Sequence, residues 1–196
     1  LVGYLGSLEA VKAAGEIIDR LLAPGGVAIV DPAMADNGKL YSGFDEDYVR
    51  AIGSLAGKAD IILPNVTEAA ILSGLPYQEN IDRNYVNQLL NGLNHPCAVL
   101  TGVDFAEGSI SVVLREGTVQ QEYRHKRIGK GCHGTGDIFA AVFTGALMQG
   151  KNRLDAAKIA ADFTCRCIKN TVNAPAHWYG VKFEPLLPEL MEMLGR

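Results

Sequence analysis

The chain has 196 residues, 48% of them hydrophobic, which is enough for one compact domain with a buried core. A net charge of −4 without a basic run argues against nucleic acid and anionic membranes as main partners. No apolar run approaches the roughly 20 residues of a membrane span, and no secretion signal is recognisable. The four cysteines form no C-x-x-C pair, so reduced thiols and a cytoplasmic location are expected.

The first half of the chain alternates predicted strands with predicted helices. Short apolar runs at 2–5, 27–31, 60–64 and 97–102 are typical of buried parallel strands. Helices are predicted over about 8–22, 45–56, 67–73 and 82–93, with Ser7 and Thr67 among the N-caps. The segment 32–43 is rich in turn-forming residues and is predicted to be a loop. This alternation predicts an α/β fold with a largely parallel sheet.

The hydrophobic period changes in the second half. Residues 109–116 and 117–127 predict a β-hairpin that turns at Glu116–Gly117. After Gly134 the sequence predicts helices alone, over 135–149, 153–170 and 184–195. No linker or internal repeat is visible, so residues 1–196 are predicted to form a single domain.

Three polar residues lie at or just after predicted strands: Asp31, Asn65 and Thr101. In open α/β sheets, ligands bind at the carboxyl ends of the strands. We therefore expect these residues, together with the loop after the hairpin, to converge on one crevice.

The segment GKGCHGTGD at 129–137 places four glycines directly before an apolar helix. It matches the G-x-G-x-x-G dinucleotide fingerprint formally, but that motif needs a strand after the helix, and helices alone are predicted here. The G-x-x-x-x-G-K-[ST] phosphate loop is absent. A tight turn before a packed helix is the structural alternative.

An anion hole best explains the acid that ends this segment. The amides of Gly134, Thr135 and Gly136 at a helix N-terminus favour a phosphate group, and small residues let it approach the backbone. Asp137 is then placed to accept a proton from an attacking hydroxyl, which suits phosphoryl transfer. Lys130 is expected to contact the phosphate, with a solvated loop residue as the alternative.

Phosphoryl transfer needs a cation, usually Mg²⁺ held by one or two carboxylates, phosphate oxygens and water. The sequence DPAMAD supplies Asp31 and Asp36, and PNVTE supplies Asn65 and Glu68; Asp31 and Asn65 are also expected beside the nucleotide phosphates. The alternative is structural, because acids are common in turns and in the first turn of a helix. Tyr4 offers a ring that either stacks on an aromatic substrate or packs in the core.

Together, five motifs resemble the pyridoxal kinase branch of the ribokinase-like superfamily, over nearly the whole chain: GYLGS, DPAMADNGKLY, ADIILPNVTEAAILSG, GTGD and HWYGVKFEPLLPEL. The resemblance implies a three-layer α/β/α fold with a mostly parallel sheet and a β-hairpin near the nucleotide. It implies ATP and Mg²⁺ as cofactors, the 5′-hydroxymethyl group of pyridoxal, pyridoxamine or pyridoxine as phosphoryl acceptor, and a homodimer.

The same resemblance implies a role for individual residues. Asp137 corresponds to the base that activates the hydroxyl, in front of an anion hole at 134–136. Asp36 and Glu68 correspond to positions that handle Mg²⁺ and phosphate, with Asp31 nearby. Thr101 corresponds to a position that approaches the ATP phosphates, and Tyr4 to a tyrosine against the pyridine ring.

The sequence departs from the family pattern in two places. It lacks the N-terminal portion that carries the first βα units and much of the vitamin pocket, and Leu63 stands where relatives often have threonine. Hydroxymethylpyrimidine kinase, on a similar scaffold, is the nearest alternative function, and a sugar or nucleoside kinase is another. A catalytically silent nucleotide-binding module is the alternative of a different class.

Overall fold

The computed structural model describes residues 1–129, 132–174, 177 and 179–196. Its helices are α1 (Leu8–Leu21), α2 (Glu46–Ala56), α3 (Val66–Ser73), α4 (Arg83–Leu93), α5 (Thr135–Met148), α6 (Arg153–Val172) and α7 (Leu187–Leu194), with a 3-10 turn at Glu184–Leu186. Its strands are β1 (Ile29–Val30), β2 (Ala35–Asp36), β3 (Lys39–Leu40), β4 (Ile61–Ile62), β5 (Cys97–Val103), β6 (Ser109–Glu116) and β7 (Val119–Lys126).

Five strands form the main sheet in the order β1-β4-β5-β6-β7. The pairs β1–β4 and β4–β5 are parallel, whereas β5–β6 is antiparallel. The strand predicted at 2–5 is reduced to a single parallel bridge between Val2 and Val30. The carboxyl ends of β1, β4 and β5 consequently lie along one edge of the sheet.

The chain divides into two compact units. The first comprises Leu1–Phe105 and Ser111–Glu122, and the second comprises Ala106–Ile110 and Tyr123–Arg196. Each unit therefore contains part of the β6–β7 hairpin. The single-domain assignment stays a prediction.

The core of the first unit joins the parallel strands to the helices that alternate with them. Its largest fully buried side chains include Ile52 and Leu55 of α2, Leu89 and Leu90 of α4, and Leu100 of β5. Three helices begin as the sequence predicts: Ser7, Asp45 and Asp82 each accept a hydrogen bond from a first-turn amide. These local caps fix where α1, α2 and α4 begin.

The second unit is built on the packing of α5 against α6. Phe143 of α5 and Phe163 of α6 are fully buried, and alanines at 146 and 160 lie buried beside them in the same helices. None of the described helices combines the length and apolarity that crossing a bilayer requires. All four cysteines are thiols, in agreement with the sequence prediction.

Candidate active site

The structure brings Asp31, Asn65 and Thr101 to one edge of the sheet in the first unit. Asp31 follows β1 and is 7% exposed, and its amide donates to Val2 O. Asn65 follows β4, Thr101 lies within β5, and a parallel bridge joins the two, with Thr101 N donating to Pro64 O at 3.0 Å. Whether the loop after the hairpin meets this edge stays a prediction.

Asp36 lies in a small hairpin that the sequence analysis missed. Strands β2 and β3 pair Asp36 with Lys39, and the two residues between them, Asn37 and Gly38, have φ angles of 50° and 76°. Positive φ at both positions defines a type I′ turn, for which Asn-Gly is the strongest sequence signal. The Asp36 carboxylate is exposed and accepts hydrogen bonds from Asn37 N at 2.8 Å and Asn37 Nδ2 at 2.9 Å.

The motif PNVTE forms the start of α3, but with a different cap from the predicted one. Asn65 Oδ1 accepts from Glu68 N, and Glu68 Oε2 accepts from Asn65 N, both at 2.9 Å, which completes a capping box. The predicted cap, Thr67, is wrong, because this residue lies inside the first helical turn. Its hydroxyl instead accepts a hydrogen bond from Gly38 N at 3.0 Å.

Glu68 is a buried carboxyl that ties α3 to the segment after β1. It is 2% exposed, and its Oε1 accepts from Met34 N at 3.1 Å and from Ala35 N at 3.4 Å. Burial, and then the negative charge of Asp31, raise the pKa of Glu68 to about 8, although three backbone hydrogen bonds act in the opposite direction. Glu68 is therefore protonated more readily than an exposed glutamate when no cation is bound.

The oxygen donors at this edge match the ligands that Mg²⁺ prefers. Asp36 is the accessible carboxylate, since it can exchange its contacts with Asn37 for a cation, whereas Glu68 is enclosed. Among residues 1–129, 132–174, 177 and 179–196, no group of three or more His, Cys, Asp or Glu side chains is arranged to hold a metal ion. A cation handled by Asp36 and Glu68 would need its remaining ligands from phosphate and water, and this role of the two residues stays a prediction.

The rings of Tyr4, Phe44 and Tyr48 pack in a row, which we call the aromatic column. The Tyr4 side chain is 57% exposed, so the core-packing alternative does not hold. Its ring lies 5.7 Å from that of Phe44, which stacks on Tyr48 with a centroid distance of 3.7 Å. The Tyr48 hydroxyl donates to Leu5 O, which fastens the column to the segment after Tyr4. Sequence reasoning did not identify Phe44, because nothing local marks it as a support for Tyr4.

The GTGD motif in the second unit forms the start of α5, and its role as an anion hole stays a prediction. Gly134 is the N-cap of α5 with a φ of 84°, and because it has no side chain, the amides of Thr135, Gly136 and Asp137 receive no side-chain cap from it. Asp137 is exposed, and its Oδ2 lies 4.0 Å from the point where a Cβ on Gly134 would be. The carboxylate of Asp137 therefore lies close to the N-terminus of α5. The predicted phosphate contact Lys130 lies outside the described residues.

Leu63, which stands where the resemblance predicts a threonine before Pro-Asn, is a core residue. Leu63 is buried, and its amide donates to Val30 O at 2.9 Å, which continues the β1–β4 pairing. Thr101 Oγ1 lies 3.5 Å from Pro64 O on the neighbouring strand. Thr101 therefore supplies a hydroxyl at this part of the edge.

The sequence of this chain matches a known protein family over most of its length. The family model described as phosphomethylpyrimidine kinase matches residues 2–181. The chain belongs to the phosphomethylpyrimidine kinase family. The hydroxymethylpyrimidine/phosphomethylpyrimidine kinase of Bacillus subtilis is 30% identical over 146 residues, which cover 74% of this chain and 54% of that protein.

Solved structures extend the likeness of this family member to the pyridoxal kinases. Pyridoxal kinase from Lactobacillus plantarum is 31% identical with a TM-score of 0.84, covering 97% of this chain and 69% of that one. A Bacteroides thetaiotaomicron protein solved with pyridoxal is 28% identical with a TM-score of 0.85, covering 99% of this chain and 69% of that one. The predicted ribokinase-like α/β/α fold class and the resemblance to pyridoxal kinases are confirmed.

The chain is shorter than the relatives it matches. It spans 54% of the Bacillus subtilis protein and 65% of a Haemophilus influenzae hydroxymethylpyrimidine/phosphomethylpyrimidine kinase. The activity and substrates of those longer proteins are therefore carried over to this chain as proposals.

Proposed function

We propose that the chain is an ATP-dependent kinase that phosphorylates the hydroxymethyl group of a heteroaromatic vitamin precursor, with the 5′-hydroxymethyl of pyridoxal, pyridoxamine or pyridoxine as acceptor. The observation that carries the proposal is the start of α5. There, a glycine cap leaves the first-turn amides without a side-chain acceptor, next to the exposed carboxylate of Asp137. The likeness to pyridoxal kinase of Lactobacillus plantarum supports the choice of acceptor.

The proposed reaction assigns separate tasks to the amides and to the acid. The backbone at Gly134, Thr135 and Gly136 binds the transferring phosphoryl group, where fixed dipoles stabilise charge without reorganisation. Asp137 accepts the proton of the acceptor hydroxyl as the new O–P bond forms. The bond between the γ-phosphorus and the β–γ bridging oxygen breaks, and ADP leaves with that oxygen.

The remaining residues bind and orient the reactants in this proposal. Mg²⁺, when bound, neutralises charge on the ATP phosphates, and Asp36 and Glu68 are the proposed metal-handling carboxylates, with Asp36 as the accessible one. The exposed ring of Tyr4 offers a stacking surface for a planar substrate. The proposed nucleotide and phosphate contacts are Asp31, Asn65, Thr101 and Lys130.

Hydroxymethylpyrimidine is the second candidate acceptor. The match to the phosphomethylpyrimidine kinase family and the Bacillus subtilis relative favour it. An exposed tyrosine ring stacks on a pyridine or a pyrimidine equally well, so Tyr4 does not discriminate between them. Comparing kcat/KM for pyridoxal, pyridoxine, pyridoxamine and hydroxymethylpyrimidine ranks the two candidates.

The test of the mechanism is Asp137→Asn in the 196-residue chain. We expect kcat to fall by about 10²- to 10⁴-fold, the usual contribution of a general base, while ATP binding measured by calorimetry is retained. Asp155→Asn is the matched control, because Asp155 occupies the same third position of α6. Unchanged turnover in Asp137→Asn contradicts the assignment, and ATP binding without turnover in the unmodified chain favours the silent module.

A further inference from the structure

Three side chains at the start of α3 hold the backbone of the segment 34–38. Two of them act before the turn: Glu68 accepts from Met34 N and Ala35 N, and Asn65 Nδ2 donates to Ala35 O at 2.8 Å. Thr67 acts on the far side, where its Oγ1 accepts from Gly38 N at 3.0 Å. The turn that carries Asp36 is thus held from α3 on both sides.

Gly38 is a fixed point of this turn. Its φ of 76° suits glycine, and a Cβ there would lie 2.7 Å from Tyr77 Cδ1, so the aromatic ring closes directly over the backbone. The hydroxyl that accepts from Gly38 N belongs to a side chain that is 3% exposed, so the bond is largely shielded from water. Gly38 is consequently held by Thr67 through its amide and by Tyr77 through packing.

Asp36 depends on that fixed point. Its carboxylate is exposed, and it is held by Asn37 N and Nδ2, which belong to the same turn. The carboxylate is therefore no better positioned than the turn itself. An interaction that fixes the turn also fixes the direction in which Asp36 presents its oxygens.

We propose that Thr67 is a positioning residue for Asp36, which it aims through Gly38 so that the carboxylate can bind a divalent cation. The inference rests on the proposed function, in which Asp36 handles Mg²⁺. Mutation of a group that orients a metal ligand typically lowers metal affinity by about 10- to 100-fold. A role limited to stability would leave cation binding by the folded protein unchanged.

The test is an NMR experiment on the 196-residue chain, with Mn²⁺ as the paramagnetic probe and with ATP present and absent. Thr67→Val removes the acceptor with little change of shape, Thr67→Ser keeps it, and Asp36→Asn removes the proposed ligand. Thr144→Val is the control, because the Thr144 hydroxyl donates to Ala140 O within α5, so the same substitution removes a hydrogen bond that is local to that helix. Hydrogen exchange of the Gly38 amide is recorded for each variant.

We expect Thr67→Val to speed Gly38 exchange roughly 3- to 10-fold, the factor that one hydrogen bond of ordinary strength represents. We also expect Mn²⁺ broadening at residues 36–38 to need about tenfold more Mn²⁺. Thr67→Ser should restore both values, and Thr144→Val should change neither. Asp36→Asn should abolish the broadening.

The inference is overturned if Thr67→Val leaves Gly38 exchange or Mn²⁺ broadening unchanged, or if the unmodified chain shows no broadening at 36–38. None of these readouts requires turnover. If Thr67→Val weakens Mn²⁺ binding at the turn as expected but the unmodified chain phosphorylates no ring alcohol, the proposed function is contradicted and the inference about Thr67 is supported. The two failures are therefore distinguishable.

Discussion

Glu68 carries a carboxyl group into the interior of the first unit, beside a second acid. Three backbone amides point at its oxygens, yet burial and the charge of Asp31 outweigh them and raise the pKa to about 8. The amides come from Met34, Ala35 and Asn65, so the side chain holds the segment after β1 against α3. In the cation-free protein Glu68 therefore links the segment after β1 to α3, in addition to its proposed part in handling Mg²⁺.

The raised pKa of Glu68 predicts a pH dependence of stability. Because the folded-state pKa of about 8 lies above the ordinary value of 4.5, the native state binds more protons than the unfolded state between these values. The contribution of Glu68 to stability is therefore full below about pH 4.5 and is lost as the pH rises toward 8. Urea unfolding in EDTA should show the midpoint falling across this window.

Two variants isolate that effect. Glu68→Gln removes the titrating group and should flatten this part of the pH profile, whereas Glu107→Gln, in an exposed turn, should keep the slope of the unmodified chain. An equal slope in Glu68→Gln and the unmodified chain would show that another group causes the dependence.

Thr67 shows at the same scale what sequence reasoning missed. A threonine before a helical pattern is a reasonable N-cap, but Asn65 two residues earlier forms the capping box with Glu68. The bond from Gly38 N to Thr67 joins residues 29 positions apart, and no local pattern signals such a contact. The type I′ turn at Asn37–Gly38, by contrast, was readable from the Asn-Gly pair.

Helix starts were the elements most accessible from the sequence. Ser7, Asp45 and Asp82 cap α1, α2 and α4 through their own first-turn amides, which is information contained in a few adjacent residues. Strand lengths were overestimated at 2–5, 27–31 and 60–64. Each run is buried over only part of its length, since Tyr4, Val27 and Asp60 are exposed, and ladder pairing covers one or two residues of each.

Two glycines, one at the N-cap of α5 and one inside it, are predicted to respond differently to substitution by alanine, in stability and in turnover. Gly134→Ala forces an alanine into the left-handed region, which should destabilise the protein by about 1–2 kcal/mol and lower kcat, because the first-turn amides move. Gly145→Ala lies inside the same helix with open space at its Cβ, so it should stabilise by about 0.5–1 kcal/mol. Urea unfolding and steady-state turnover measure the two effects.

The contrast between these glycines is the informative result. If Gly134→Ala is as stable and as active as the unmodified chain, the conformation of the cap does not matter for the anion hole. If both variants lose activity equally, the effect belongs to α5 as a whole.

For the whole molecule, the resemblance of five motifs predicted the fold class correctly, whereas periodicity alone predicted a largely parallel α/β sheet. The strand-end acids lie in the first unit, and the GTGD motif lies in the second. The residue types in each motif were enough to select both sets of residues as candidates. The burial of Glu68 and the aromatic column under Tyr4 depend on tertiary packing, which one sequence does not encode in a local pattern.

Phosphorus NMR of the reaction mixture directly measures the proposed transfer of a phosphoryl group to a ring hydroxymethyl. The 196-residue chain is incubated with ATP, Mg²⁺ and pyridoxal, and in parallel with hydroxymethylpyrimidine. If the chain is such a kinase, a phosphomonoester resonance should grow in step with ADP in at least one mixture and should be nearly absent with Asp137→Asn. ATP that stays intact, or ADP that appears with inorganic phosphate and no phosphomonoester, would contradict the proposed function.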